Sequence, residues 1–111
     1  MAAGMRIDPA LADELRRARA EGRTDTAIPV AIEHRSPLVA QGVDLADLEA
    51  RSAELQAALL GRLHDLGVHD IKRTPLANAL FAELTPAQIE AIAAHPDVRI
   101  VRLNRAVDVR A

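Results

Sequence analysis

Apolar residues recur along this chain with two periods, one of a helix and one of a strand. Residues 27–34, AIPVAIEH, alternate apolar and other positions, and this pattern predicts a strand. A long helix is predicted from Asp44 to about Leu66, with Gly67 as its C-terminal stop. Its apolar face consists of leucines at helical spacing, namely Leu48, Leu55, Leu59, Leu63 and Leu66.

Residues 79–104 predict a strand, a capped helix and a second strand in close succession. The apolar run ALFAEL forms the first strand. Thr85 is a helix N-cap, and Gln88, three residues later, completes a capping box. The sequence His-Pro-Asp at 95–97 ends the helix, because proline disfavours helical geometry in the residue before it. VRIVRL, residues 98–103, is the final strand.

A further helix is predicted at the N-terminus, where Asp8 precedes Pro9 and Gly22 marks the end. Leu11 and Leu15 are its main large apolar residues, so we expect an accessory helix outside the core. Residues 1–26 are therefore assigned to this helix and a linker, and residues 27–111 to a separate domain.

The element order after the N-terminal helix is strand, helix, strand, strand, helix, strand, if residues 68–74 form a short strand. This order predicts an α+β, ferredoxin-like split βαββαβ sandwich. Such a fold has a four-stranded antiparallel sheet with two helices on one face. The other face of the sheet is expected to remain open, either solvated or used for binding.

Composition narrows the classes of function. The chain has 111 residues, a net charge of −2 and no cysteine, so disulfides, thiolate metal sites and cysteine nucleophiles are excluded. It has one phenylalanine and neither tryptophan nor tyrosine, and its charge is not that of a nucleic-acid binder. With no secretory signal and no run of about 20 apolar residues, we expect no membrane segment and a cytoplasmic location.

The residues that could carry chemistry do not form a catalytic or metal-binding motif. His64 and His69 are five residues apart with a helix end between them, so they do not share a helical face. Ser36 lies in a loop, and Ser52 is predicted on the polar side of the long helix, without a local base. We therefore expect no enzymatic activity, no metal site and no cofactor.

A basic run marks the C-terminal part of the chain, and its members are Arg99, Arg102, Arg105 and Arg110. Lys72 and Arg73 add positive charge on another predicted strand. These side chains indicate either a surface for phosphate or an acidic protein partner, or simply a solvated strand edge.

The segment LTPAQIEAIAAHPDVRIV resembles the second half of the subtilisin propeptides, a family of protease inhibitors and folding chaperones that includes free-standing inhibitors. The resemblance extends from about Ala27 to Arg110. It implies that the sheet packs against two helices of a subtilisin-type serine protease. It also implies that the C-terminal tail lies in the active-site cleft like a bound product.

The resemblance assigns the protease-binding tail to Val107, Asp108, Val109, Arg110 and Ala111. Arg110 would lie just before the scissile bond, with Val107 in the fourth pocket. A shift of one residue would instead place Ala111 in the primary pocket, and both registers remain open.

The chain departs from the family after the last strand's valine, where acidic residues usually meet helix N-termini of the protease. Arg102 and Leu103 occupy these positions, and Asn104 is the remaining candidate cap, which makes Arg102 and Asn104 candidate docking residues. The departure suggests a partner of different surface charge or an inhibitor fold that no longer inhibits.

Two functions are therefore expected as alternatives. The first is a propeptide-like inhibitor or intermolecular chaperone of a subtilisin-like serine protease. The second is a ferredoxin-like protein-interaction or oligomerisation module unrelated to proteases. The sequence does not determine the oligomeric state.

Overall fold

The computed structural model of this chain describes residues 6–35, 45–74 and 78–104. Within these ranges it contains three helices and four strands. No helix in this part of the chain is both long and apolar enough to cross a lipid bilayer. The elements, in chain order, are α1 Pro9–Ala20, β1 Ile28–His34, α2 Leu45–Asp65, β2 Lys72–Thr74, β3 Ala79–Leu84, α3 Pro86–Ala93 and β4 Val98–Leu103.

The four strands form one antiparallel sheet in the order β2-β3-β1-β4. The strand β1 is central and pairs with β3 on one side and β4 on the other. The predicted α+β class with a four-stranded antiparallel sheet is therefore confirmed. The strand predicted at residues 68–74 is shorter than expected and begins at Lys72.

The helix ends follow the predicted local chemistry. The Asp8 carboxylate accepts a hydrogen bond from the Ala10 N–H at 3.1 Å, as an N-cap residue does. In α3 the Thr85 N–H donates to the Gln88 side chain at 2.9 Å, and the Gln88 N–H donates to the Thr85 hydroxyl at 3.4 Å. The predicted capping box is therefore confirmed. Gly67 follows α2 with a φ of 90°, a left-handed conformation that glycine adopts without strain.

All three helices pack on the same face of the sheet and share one hydrophobic core. The alternation in β1 places Ile28, Val30 and Ile32 on this inner face. Leu59 and Leu63 of α2 cover them and are fully buried. The remaining large apolar core residues are Leu11, Leu15, Val68, Leu80, Leu84, Ile89, Ile92, Val98 and Val101.

The expectation that α1 is an accessory outside the core is wrong. Leu11 is 0% exposed and Leu15 4% exposed, and both belong to the shared core. The backbone N–H of Asp8 also donates to the Val101 carbonyl of β4 at 2.9 Å, so the start of α1 is fixed to the sheet. Two leucines four residues apart are enough to place a helix in the core when the sheet offers uncovered apolar residues. The proposed domain boundary at residue 26 stays a prediction.

The buried face of α2 differs from a pure leucine stripe. Ser52 and Gln56 are each 0% exposed, so the predicted position of Ser52 on the polar side of the helix is wrong. The Gln56 Nε2 donates to the Asn78 Oδ1 at 2.9 Å, and Asn78 has a left-handed φ of 48° just before β3. This bond links α2 to the start of β3 and compensates part of the cost of burying polar groups.

A bulge in β4 determines which of its residues point inward. Glu33 pairs with Ile100, whereas His34 pairs with Val98, so Arg99 is an extra residue without a partner on β1. Because of this insertion, Val98 and Val101 are both buried although they are three positions apart. The bulge therefore reverses the alternation of β4 and turns Arg99 toward the outer side of the sheet.

We expect Leu59→Ala to destabilise the protein by about 2–5 kcal/mol, because it leaves a cavity beneath a fully buried leucine. Chemical denaturation followed by circular dichroism measures the loss. Leu55→Ala, at a half-buried position of the same helix, is the matched control and should cost clearly less. Equal losses would mean that the buried face of α2 is assigned wrongly.

The burial of α1 predicts that Leu11→Ala also destabilises the protein by about 2–5 kcal/mol. Arg16→Ala, an exposed position on the same helix, should change the free energy of unfolding by no more than about 0.5 kcal/mol. Thermal melts of both variants provide the test. A Leu11→Ala protein as stable as the parent would contradict the burial of α1 and mean that this helix is an accessory outside the core.

Candidate functional site

The side of the sheet opposite the helices is the candidate functional site, and we call it the open face. None of the helices in the described ranges packs on it, because the residues that they bury lie on the inner side. Its members are Pro29, Ala31, Glu33, Lys72, Ala79, Phe81, Glu83, Arg99, Ile100 and Arg102.

The middle of the open face is a row of directly paired residues that crosses all four strands. Lys72 pairs with Phe81, Phe81 with Ala31, and Ala31 with Arg102. Phe81 is the only phenylalanine of a chain without tryptophan or tyrosine, and it is half-buried here rather than part of the core. The row therefore has an apolar centre and a cation at each end.

A shallow hollow of about 560 Å³ lies at one end of the open face. Phe81 and Pro29 contribute apolar surface to it, and its polar surface comes from His69, Asp70, Lys72, Glu83, Gln88 and Asn104. The Asn104 N–H donates to the Pro29 carbonyl at 2.9 Å, which fixes the end of β4 beside the hollow. The hollow is large enough for an apolar side chain of a partner.

At the β4 side of the open face, Glu33 holds two arginines, and we call these three residues the arginine cluster. The Arg102 Nε donates to the Glu33 Oε2 at 2.7 Å, and the Arg99 Nη2 donates to the Glu33 Oε1 at 2.8 Å. The side chains of Arg99 and Arg102 remain 57% and 45% exposed, whereas that of Glu33 is 27% exposed. The cluster thus presents two oriented guanidinium groups to solvent.

The arginines also set the ionisation of Glu33. Partial burial raises the pKa of the Glu33 carboxyl, but the hydrogen bonds and charges of Arg102 and Arg99 outweigh this effect and lower the pKa below its usual value. The hydrogen bond to Glu33 in turn raises the pKa of Arg102. Glu33 and Arg102 are therefore both charged at neutral pH.

The structure places both predicted docking residues at the candidate site. Arg102 belongs to the central row of the open face, and Asn104 lies at the rim of the hollow. The predicted tail residues Val107, Asp108, Val109, Arg110 and Ala111 lie outside the described residues. Asn104 is the last described residue before them.

The predicted alternation of β1 already set Glu33 opposite the apolar residues, but sequence reasoning missed that Phe81 also faces outward, on the neighbouring strand. In ALFAEL the even-numbered residues Leu80, Ala82 and Leu84 are buried, so the odd-numbered Phe81 must face the other way. Counting positions in the strand could have shown this, because Glu83 is also odd-numbered and charged.

The histidines His64 and His69 lie close together, although only His64 belongs to α2. The turn at Gly67 brings their rings into a stacked arrangement with centroids 5.2 Å apart. Among the residues that the structure describes, no group of three or more histidine, aspartate or glutamate side chains could hold a metal ion.

Comparisons with protein-family models, with curated proteins and with solved structures gave no significant match. The resemblance to subtilisin propeptides therefore depends on the residues quoted above.

The lowered pKa of Glu33 predicts a pH-dependent contribution to stability. An ionised Glu33 stabilises the folded state above the carboxyl's unfolded pKa, and this contribution is lost as the pH falls through the lower folded pKa. At pH 7 we expect Glu33→Gln to destabilise the protein by about 1 kcal/mol, the upper range for exposed ion pairs.

Thermal melts of the parent protein and the Glu33→Gln variant at a series of pH values measure this difference, which should shrink in acid. Glu49→Gln, at an exposed position on α2, is the control and should match the parent throughout. A difference of the same size at pH 7 and at pH 2 would contradict the role of the carboxylate charge.

Proposed function

We propose that this chain is a propeptide-like inhibitor or intermolecular chaperone of a subtilisin-type serine protease. The open face docks on the protease surface, and the C-terminal tail enters the active-site cleft. The function is an interaction and not a catalytic one.

The observation that carries this proposal is the composition of the open face. Its one phenylalanine lies on β3 with half-buried Ala31 and Pro29 on the neighbouring strand β1, while the core is built from aliphatic residues. Aromatic residues and arginines are enriched in protein interfaces, and Phe81 and Arg102 belong to one row here. This arrangement favours a protein partner over a solvated face.

The position of Asn104 supports the role of the tail. Asn104 is bonded to Pro29 at the rim of the hollow, so residues 105–111 continue from the border of the open face. An extended tail pairs with substrate-binding strands by strand addition. In that conformation Val107 and Val109 point to the same side, toward alternate pockets. A sheet docked beside the cleft lowers the entropic cost of ordering this segment.

We also propose that the fold is a ferredoxin-like split βαββαβ sandwich with the added helix α1. The strand order β2-β3-β1-β4 supports this fold. The helix α3 joins β3 to β4, and β1 lies between these two strands. The helix α2 joins β1 to β2, and β3 lies between those two. Both connections carry their helices on the inner face.

The alternative is an oligomerisation module that pairs two open faces. Cations occupy both ends of the central row, at Lys72 and Arg102. A two-fold axis along the strands would place Lys72 against the partner's Arg102, and an axis across the strands would place each cation against its own copy. Like charges oppose both aligned arrangements, so the open face favours a different protein as its partner.

Titration of a subtilisin-type protease with this chain tests the proposal. We expect the full chain to inhibit hydrolysis of a chromogenic peptide substrate. A chain that ends at Arg105 should lose most of the potency, because it lacks the segment that enters the cleft. Phe81→Ala should weaken inhibition roughly tenfold or more, as expected for an interface anchor.

Thermal melts of the shortened chain and the Phe81→Ala variant must show cooperative unfolding, so that loss of potency is not loss of fold. Equal inhibition by the full and the shortened chain would mean that the open face, and not the tail, makes the inhibitory contact. No inhibition by any form, across several subtilisin-type proteases, would overturn the proposal and favour the interaction module.

A further inference from the structure

The arginine cluster has more hydrogen-bond donors than its described contacts use. Each guanidinium carries five N–H groups, and the described contacts of Arg99 and Arg102 to Glu33 use one from each. Arg102 Nη1 lies 3.8 Å from the Asp8 Oδ1, a distance too long for a hydrogen bond. Most of the donors at this side of the open face are therefore available to an incoming acceptor.

The cluster is also oriented before any partner arrives. The bulge at Arg99 and the pairing of Glu33 with Ile100 bring both arginines to a single carboxylate. Glu33 offsets one of the two positive charges, and Asp8, 3.8 Å from Arg102 Nη1, partly offsets the other, so the unused N–H donors of the two guanidinium groups are what a partner carboxylate would meet. Holding long side chains in place in the free protein reduces the entropy that binding would otherwise cost.

We propose that Arg99 and Arg102, oriented by Glu33, bind a carboxylate on the partner protein, next to an apolar partner side chain that packs on Phe81. This inference rests on the proposed function, in which the open face meets helices of the protease. Here a helix of the protease presents an acidic side chain to the arginines. In the subtilisin propeptides, by contrast, acidic residues of the propeptide meet helix N-termini of the protease.

The register of the sheet gives the spacing of the two partner side chains. Arg102 and Phe81 are separated by Ala31, that is, by two strand spacings or about 10 Å. Residues seven apart on an α-helix lie on one face and are about 10 Å apart. A partner helix that crosses the strands therefore fits the open face with a large apolar residue and an acidic residue seven positions apart.

An alanine-based helical peptide with one leucine and one glutamate seven positions apart is the probe, and the same peptide with lysine in place of glutamate is its control. Titration of the ¹⁵N-labelled full chain should shift the amide signals of Phe81, Ala31 and Arg102 with the glutamate peptide. The lysine peptide should bind roughly tenfold more weakly or not at all.

Two matched charge reversals sharpen the test. Arg102→Glu should abolish the preference for the glutamate peptide, whereas Arg16→Glu, at an exposed arginine of α1 on the helical side, should preserve it. Arg99→Gln is a milder variant that still tests the cluster if Arg102→Glu lowers stability. Glu33→Gln should weaken binding by releasing both arginines, although it removes a negative charge.

Equal binding of the two peptides, or equal effects of Arg102→Glu and Arg16→Glu, would overturn this inference. The protease titration with the full and the shortened chain tests the proposed protease function separately. Inhibition that Arg102→Glu leaves unchanged would refute the carboxylate contact alone. Discrimination between the peptides without inhibition of any protease would leave the contact standing and remove the protease as the partner.

Discussion

Hydrogen bonds from β1 to β3 on one side and to β4 on the other hold Ile28, Val30 and Ile32 beneath the helices. Because successive side chains of a strand point to opposite faces, only every second residue of β1 can enter this core. With three helices on the inner face, Pro29, Ala31 and Glu33 must point outward. The open face is therefore a direct consequence of how the core is built, and its row from Lys72 to Arg102 inherits its geometry from the same pairings.

The bulge in β4 connects the core to the arginine cluster. Without the extra residue, Val98 would lie on the same side as Ile100 and Arg102, and the inner face would lose an apolar residue. With it, Val98 and Val101 are both buried, and Arg99 turns to Glu33. One local irregularity thus serves packing on one face and charge placement on the other, which is a common role of bulges near functional surfaces.

Local signals in the sequence predicted most of the elements, because caps, prolines and glycines act over a few residues. Asp8 and the pair Thr85 and Gln88 are examples, and the structure confirms their bonds. The errors concern tertiary contacts. The burial of Leu11 depends on what the sheet leaves uncovered, and the burial of Ser52 depends on where α2 meets its neighbours. The bulge at Arg99 also had no local signal, so the sequence named Arg102 as a candidate without revealing its partner Glu33.

The arginine cluster contributes more to binding than to folding under the proposed function. Exposed ion pairs stabilise a fold by about 1 kcal/mol or less, and the two arginines are about half exposed. For binding, the same contacts to Glu33 keep two long side chains ordered, which otherwise costs about 0.5–1.5 kcal/mol for each chain immobilised. A lysine at position 102 would keep the positive charge. It would lack the planar guanidinium, which can bond Glu33 with one N–H group while its other N–H groups face solvent. Under the proposal, the pairing with Glu33 orders both arginines before a partner presents a second carboxylate beside Phe81.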